Sequence, residues 1–175
     1  DDLALMRAIP NMTVIDPCDA TEIQQAVSAI AYYNGPVYMR LLRGKVERVL
    51  DEKNYHFEIG KAKLLRSAGD VLFVSTGLMT ERALQASVLL AEEGIQAGIL
   101  HVSTLKPFDS ETLLRAVSSV GALVTLENHT IIGGLGSAVA DALCAAGIGI
   151  KMTKVGVPDC FVECGSVDYL VEKYG

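Results

Sequence analysis

Proline is scarce in this chain, with only 5 in 175 residues, and charged residues make up no more than 21%. Hydrophobic residues account for 50% of the sequence. This balance excludes an intrinsically disordered protein, because disordered chains have too few apolar side chains to form a core. The composition therefore predicts a soluble globular protein with a large hydrophobic core.

The chain also lacks a positive charge balance and a long apolar run. Its formal net charge is −6, and the 15 Lys and Arg residues are scattered, so nothing favours nucleic acid or an anionic membrane as a partner. No apolar run approaches the roughly 18 residues of a membrane span. The start at Asp1-Asp2 is neither an initiator methionine nor a basic signal-peptide start. We therefore expect a cytoplasmic protein whose natural N-terminus precedes Asp1.

Cysteine is too sparse to suggest a disulfide framework or a metal site. A chain of this size does not need disulfides, and no secretory feature accompanies its 4 cysteines. Cys160 and Cys164 are four positions apart, a spacing that matches neither a redox C-x-x-C motif nor a zinc knuckle. Cys144 lies in an apolar run that predicts the core of a helix. We expect no bound metal on this chain.

What is present is an α/β pattern in two parts. Residues 1–43 predict a short helix that Pro10 stops, a strand at 12–15, a helix that starts at Asp19, and a strand at 37–42. Two strands are too few for an independent sheet, so this part must complete another structure. Residues 44–58 are polar without a sustained period, as in a connection between domains.

From Gly60 onward the pattern becomes regular. It predicts strands at 61–65, 71–75, 97–102, 123–127 and 151–155, and helices at 80–93, 109–120, 134–146 and 167–174. The segment 67–70 between the first two strands is short enough to reverse the chain. Several strands lack polar alternation, so helices should cover both faces of a mostly parallel sheet. We predict an α/β protein: a three-layer α/β/α domain with a five-stranded sheet at 56–175, preceded by a partial α/β domain at 1–55.

Several motifs carry a family resemblance. LALMRAIPNM (residues 3–12), PCDATE (17–22) and GPVYMRLLRG (35–44) resemble the end of the pyrimidine-binding domain of transketolases and deoxyxylulose-5-phosphate synthases. GKA (60–62), STGLM (75–79), LKPFD (105–109) and ENHTIIGGLGS (127–137) follow in the order of the transketolase C-terminal domain. The resemblance covers essentially the whole chain. It implies the C-terminal section of a thiamine-diphosphate enzyme that transfers a two-carbon ketol unit between sugar phosphates.

The same resemblance implies that the cofactor site is elsewhere. In such enzymes the residues that activate thiamine lie upstream of the segment that corresponds to Asp1, and the diphosphate and magnesium site is on a separate domain, often a separate subunit. We therefore expect neither thiamine diphosphate nor magnesium on this chain alone, no catalytic residue and no activity. The partners expected are an N-terminal half or subunit, a second copy in a homodimer, and a sugar phosphate.

Two alternatives stay open. The chain could belong to a deoxyxylulose-phosphate synthase or to the β subunit of a 2-oxoacid dehydrogenase, although residues 128–134 favour a transketolase. It could also be a non-catalytic dimerisation or regulatory module with a small-molecule site of its own, because a fold does not by itself fix a function.

One binding residue follows from the resemblance, namely Arg43. The family places an arginine that grips the substrate phosphate at this position, and a planar guanidinium offers paired donors to phosphate oxygens. Arg43 also follows a predicted strand closely, at the edge where open α/β sheets hold ligands. The alternative is a solvated arginine in a loop. Arg40, inside the strand, is expected to form a structural ion pair.

Two other motifs have a functional and a structural interpretation. The glycine-rich start at 133–137 invites comparison with a dinucleotide-binding loop, but Val139 stands where a third small residue is expected, so close packing is the default. His129 beside Glu127 could be a general base, but a hydrogen-bonded structural histidine is commoner. His56 and His101 are also expected to be structural.

Overall fold

The computed structural model describes residues 1–41, 46–67 and 69–174. Its elements in chain order are α1 Asp2–Ala8, β1 Thr13–Ile15, α2 Ala20–Ala31, β2 Val37–Met39, β3 Lys63–Arg66, β4 Val71–Ser75, α3 Met79–Glu92, β5 Ala97–His101, β6 Thr104–Lys106, α4 Ser110–Val117, β7 Ala122–Thr130, α5 Leu135–Ala145, β8 Lys151–Val157 and α6 Val167–Tyr174. The helix, strand, helix, strand order of the first part is as predicted. Asp19 caps α2, since its side chain accepts the backbone N–H of Glu22 at 3.0 Å.

The first part of the chain completes its sheet with a strand from the second part. β1 pairs in parallel with β2 and antiparallel with β6, which the sequence did not predict. The structure that residues 1–43 were predicted to complete includes the second part of the same chain, because Leu3 and Val14 lie in one buried core with Leu72 and Leu135.

The second sheet has five strands within the described residues, in the order β3-β5-β4-β7-β8. The last four in that order run parallel, and only the edge strand β3 is antiparallel to its neighbour. The predicted mostly parallel five-stranded sheet is confirmed. The chain does reverse between β3 and β4, but β3 pairs with β5 and not with β4.

Helices cover both faces of this sheet, as the unbroken apolar strands predicted. Phe73 points to one face and packs with Met79 and Ala83 of α3. Leu72 and Val74 point to the other face and share a core with residues of α4 and α5. The three layers are therefore helix, sheet and helix. The predicted division of the chain at residues 55 and 56 stays a prediction.

The order of the strands also creates a crevice. From β4 the chain runs through α3 to β5 on one side, while β7 lies on the other side of β4. Connections that leave in opposite directions open a gap at the carboxyl ends of the two strands, which is where open α/β sheets bind ligands. The helix α6 follows β8 and has no buried residue. No helix in the described ranges is both long and apolar enough to cross a membrane.

Candidate functional site

A cleft of about 440 Å³ opens at this crevice. Its walls include Arg40, Leu41, Leu78, Arg82, Asn128 and Val167. The predicted phosphate-binding residue Arg43 lies outside the described residues. Leu41 and Val46, the nearest described residues on either side of it, both line the cleft.

Arg40 forms the structural ion pair that the sequence predicted. Its Nε donates to Asp16 Oδ1 at 2.8 Å, and its Nη2 donates to Asp16 Oδ2 at 2.6 Å. Burial would lower the pKa of Arg40, but the fully buried Asp16 carboxylate outweighs it and raises that pKa. A third donor, Nη1, reaches the carbonyl of Asn128 at 2.8 Å. Arg40 thus joins the end of β2 to β1 and β7, and its charge is already satisfied.

The glycine-rich start of α5 is capped by a carboxylate from within the chain. The buried Glu127 accepts the N–H of Leu135 at 2.7 Å and that of Gly136 at 2.8 Å. A Cβ atom at Gly134 would lie 1.9 Å from Glu127 Oε2, so glycine is required for this approach. The amides that a pyrophosphate would need are therefore already bound by Glu127. This geometry supports the packing interpretation of the loop over the nucleotide interpretation.

Both ring nitrogens of His129 have hydrogen-bond partners within the chain. Its Nδ1–H donates to the carbonyl of Thr130 at 2.7 Å, and its Nε2 accepts the N–H of Ala4 at 3.4 Å. Glu127 Oε2 lies 3.6 Å from Nδ1, too far for a good hydrogen bond. The buried ring therefore ties α1 to β7 and does not form a base paired with a carboxylate.

A buried polar network joins the two sheets, and no sequence motif indicated it. His101 Nε2 lies 2.9 Å from Glu22 Oε2, and its Nδ1 lies 2.8 Å from Thr80 Oγ1. Glu22 also accepts from the N–H of Cys18 at 2.8 Å and from the hydroxyl of Tyr55. The one readable signal was Glu22 three positions after Asp19, which located a helix start but not this contact.

The electrostatics of the network favour a charged pair. Burial would lower the pKa of His101, but the Glu22 carboxylate and its hydrogen bond outweigh burial and raise it. Burial would raise the pKa of Glu22, but the His101 charge and hydrogen bonds lower it. Burial and the neighbouring Glu22 raise the pKa of the Cys18 thiol, which keeps that thiol protonated.

Two family models together match most of the chain. Residues 1–48 match the family model of the transketolase pyrimidine binding domain, and residues 60–175 match that of the transketolase C-terminal domain. The chain belongs to the transketolase family. This transketolase-family chain is 47% identical over 175 residues to a 6-deoxy-6-sulfo-D-fructose transketolase subunit of a Clostridium species, covering 100% of this chain and 54% of that protein.

Two further relatives place the chain within the family. It is 38% identical to the 1-deoxy-D-xylulose-5-phosphate synthase of Symbiobacterium thermophilum, over 99% of this chain and 27% of that protein. A solved split-gene transketolase, described as an inactive β4 tetramer, superposes with a TM-score of 0.94 at 44% identity, covering 99% of this chain and 56% of that one. This transketolase-family chain thus spans about half the length of several relatives that it matches.

The transketolase family implies thiamine diphosphate, which raises the question of whether the described residues fit the cofactor and its magnesium. The one group of three potential metal ligands among them is Cys18, Glu22 and His101, whose ligand atoms lie within 4.8 Å of one another. Magnesium prefers oxygen ligands, and here a thiol and an imidazole supply two of three donors. Glu22 and His101 are also hydrogen-bonded to each other and buried. Neither this group nor the capped start of α5 fits magnesium or a diphosphate.

The cysteines of this transketolase-family chain are all unpaired. Cys18, Cys144, Cys160 and Cys164 are free thiols, and the last three are exposed. The prediction that Cys144 belongs to the core of a helix is therefore wrong, because this face of α5 points to solvent.

Proposed function

We propose that this chain is the C-terminal section of a transketolase-type transferase that moves a two-carbon ketol unit between sugar phosphates. The observation that carries this proposal is the end-to-end similarity to a transketolase subunit, at 47% identity over all of this chain and half of that relative. A second relative, one of the subunits of the apulose-4-phosphate transketolase of Phocaeicola vulgatus, has the same relation to the chain at 33% identity.

The proposed enzyme needs a second half. An N-terminal half or subunit supplies the site for thiamine diphosphate and magnesium, and this chain alone binds neither and is inactive. The poor fit of the described residues to magnesium and diphosphate supports this division. The cofactor provides the covalent chemistry when bound, and this chain contributes substrate contact and subunit architecture. A cytoplasmic role in carbohydrate metabolism is part of the proposal.

Arg43 holds the substrate phosphate in this proposal. Arg40, three positions earlier, cannot do so without losing partners. All three of its guanidinium nitrogens already donate hydrogen bonds, two to Asp16 and one to the carbonyl of Asn128. The proposal therefore places phosphate recognition on Arg43, and it rests on the family resemblance at this position.

Self-association completes the proposal, with a homodimer as its smallest unit. Phe161 is fully exposed, and the side chains of Leu5 and Ile132 are 63% and 54% exposed beside the same surface hollow. Apolar surface of this kind marks a contact with another protein. The β4 assembly of the solved split-gene relative supports association between copies.

A deoxyxylulose-phosphate synthase is the second candidate function. The 38% identity to such an enzyme over 99% of this chain favours it, although the chain spans only 27% of that relative. The two candidates differ in reaction: a transketolase needs a sugar-phosphate acceptor and a ketose donor, whereas the synthase consumes a 2-oxo acid donor.

Reconstitution tests the proposal. The chain is expressed with and without an N-terminal transketolase subunit, and ketol transfer is measured with thiamine diphosphate and magnesium. We expect activity only from the pair, and calorimetry should detect no thiamine-diphosphate binding to this chain alone. Micromolar binding to the isolated chain, or transfer without the second subunit, would overturn the division of roles. Turnover of pyruvate with release of carbon dioxide would favour the synthase instead.

A further inference from the structure

Three side chains that can bind a metal meet at the joint between the two sheets. Cys18 precedes α2, Glu22 lies in the first turn of that helix, and His101 ends β5. One ligand atom of each residue lies within 4.8 Å of the other two, and all three residues are buried. The fold thus gathers a sulfur, an oxygen and a nitrogen donor around one enclosed point.

The donor set selects the class of metal. Thiolate and imidazole ligands suit zinc, whereas calcium and magnesium prefer oxygen. Zinc bonds of about 2.0–2.3 Å place the ligand atoms of a tetrahedral site roughly 3.5 Å apart. His101 Nε2 lies 2.9 Å from Glu22 Oε2, so this pair needs to open by only about half an ångström. The Cys18 sulfur lies within 4.8 Å of both ligand atoms and needs to approach by at most about 1.3 Å.

Neighbouring groups already orient the ligands. His101 Nδ1 lies 2.8 Å from Thr80 Oγ1, so a neutral imidazole can donate from Nδ1 and keep Nε2 for a metal. Glu22 accepts from the N–H of Cys18 at 2.8 Å and from the hydroxyl of Tyr55. Metal-binding histidines and carboxylates usually have outer partners of this kind, which hold the ligand in place. The described contacts therefore supply the support that a metal site needs.

Exchange of protons for zinc leaves the buried charge unchanged. Without a metal, His101 and Glu22 form a charged pair and Cys18 is protonated, so the three groups are together neutral. Zinc with a thiolate, a carboxylate and a neutral imidazole is also neutral, and two protons leave. Asp16 and Asp19, the other carboxylates that act on His101, are held by an arginine and by backbone N–H groups. Zinc therefore adds no uncompensated charge to the interior.

We propose that Cys18, Glu22 and His101 form a zinc site, in which one Zn²⁺ replaces the protons of Cys18 and His101. The hydroxyl of Tyr55, which already donates to Glu22, is a candidate for the fourth position. Bound zinc ties α2 to β5 and stabilises the folded chain, because it binds the folded state. The site does not depend on the proposed ketol transfer. It departs from the expectation of no metal, which rested on cysteine spacing, because two of its ligands are not cysteines.

The test uses Co²⁺ as a probe that zinc can displace, because a thiolate ligand gives cobalt a sulfur-to-metal charge-transfer band. The full chain carries Cys144→Ser, Cys160→Ser and Cys164→Ser, which remove the exposed thiols and leave Cys18 as the only one. It is treated with a chelator and refolded from urea with Co²⁺, so that burial of the site does not block entry. We expect one Co²⁺ per chain, with a charge-transfer band that Zn²⁺ abolishes.

The pH dependence tests the exchange of protons. Between about pH 5 and pH 6 both His101 and Cys18 hold their protons in the metal-free chain. Release of two protons should therefore raise the apparent affinity for Zn²⁺ about 100-fold over this one unit of pH. An affinity that stays constant over this range would overturn the proposal.

Cys18→Ser alone is the matched control, because it keeps the three exposed thiols and removes only the buried one. It should lose the charge-transfer band and bind Zn²⁺ at least about tenfold more weakly. Excess Zn²⁺ should raise the midpoint of thermal unfolding of the chain with Cys18 alone, but not that of Cys18→Ser. Circular dichroism checks that both chains are folded. The proposal is wrong if the folded chain with Cys18 alone shows no band, or if Cys18→Ser keeps the band at full strength. These outcomes leave the proposed transferase role untouched.

Discussion

Glu22 and His101 are 79 positions apart in the sequence, yet their side chains form a hydrogen-bonded pair that is fully buried. Glu22 comes from α2 beside the first sheet, and His101 comes from β5 of the second sheet. The pair therefore joins the two parts of the chain. Removing one partner of a buried ion pair is costly, because the remaining group loses its compensation.

Glu22→Gln should lower the unfolding free energy by about 3 kcal/mol near pH 5.5. The pKa of His101 is raised, so its contribution is full below its ordinary value of 6.5 and declines as pH rises through the folded-state value. The pKa of Glu22 is lowered, so its contribution is full above 4.5 and declines as pH falls through the folded-state value. Urea denaturation should thus show the largest difference from the unmodified chain between pH 4.5 and 6.5.

Glu111→Gln is the control for this series. Glu111 is 72% exposed and pairs with Arg115 one helical turn away, so its loss should cost less than about 0.5 kcal/mol. A Glu22→Gln effect that stays constant from pH 5 to pH 9 would contradict the charged pair.

Local signals predicted the helices well, and contacts distant in sequence were beyond their reach. Asp19 could be recognised as a helix cap because its accepting carboxylate and the donating N–H of Glu22 are three positions apart. The strand β6 could not be recognised from the sequence, because Thr104–Lys106 is only three residues long and is too short to show a hydrophobic period. Its strand pairing depends on β1, about ninety positions earlier. The partner of β3 was missed for the same reason, since a short connection predicts a reversal but not which neighbour completes the pairing.

The candidate site shows the same limit. Arg40 could be assigned an ion pair because charged side chains in buried strands need a partner, but its partner Asp16 is 24 positions away. The role of Glu127 as a cap for α5 was also missed. Glu127 lies in a strand, eight positions before the first helix residue whose N–H it accepts. The comparison with a dinucleotide-binding loop identified the glycines of this loop, but it did not indicate that they make room for the Glu127 carboxylate.

Gly134→Ala should destabilise the chain by about 2 kcal/mol or more, because a Cβ atom there meets Glu127 Oε2 at 1.9 Å and displaces the helix cap. Gly149→Ala is the control, since its Cβ would have nothing within 4 Å. That change should stay within about 0.5 kcal/mol. Thermal and urea unfolding of both variants give the comparison, and equal stability of the two would show that Glu127 can move aside without loss.

Arg43→Ala in the reconstituted enzyme should raise the Michaelis constant for phosphorylated substrates. A hydrogen bond to a charged group is worth about 1.5–3 kcal/mol, which corresponds to roughly 10- to 150-fold. Substrates without a phosphate should be unaffected. Arg48→Ala serves as the control, because Arg48 is 52% exposed and pairs with Glu52. Unchanged kinetics with phosphorylated substrates would return Arg43 to the role of a solvated loop residue.

The first part of the chain is held to the shared core by a buried leucine of α1. Leu3 on α1 is fully buried in the core that also contains Leu72 and Leu135, whereas Leu5 on the same helix is 63% exposed. Leu3→Ala should therefore cost about 2–5 kcal/mol, the usual range for a buried leucine.

Because this core spans both parts, the loss should lower the midpoint of the whole unfolding transition. Leu5→Ala on the same helix should leave that midpoint nearly unchanged. Urea unfolding followed by circular dichroism, with hydrogen exchange read separately for residues 1–41 and for those after 60, provides the measurement. If Leu3→Ala speeds exchange only in residues 1–41 and leaves the rest protected, the two parts unfold independently. The division near residue 55 would then mark a real boundary in stability, and the shared core would be too weak to couple the parts.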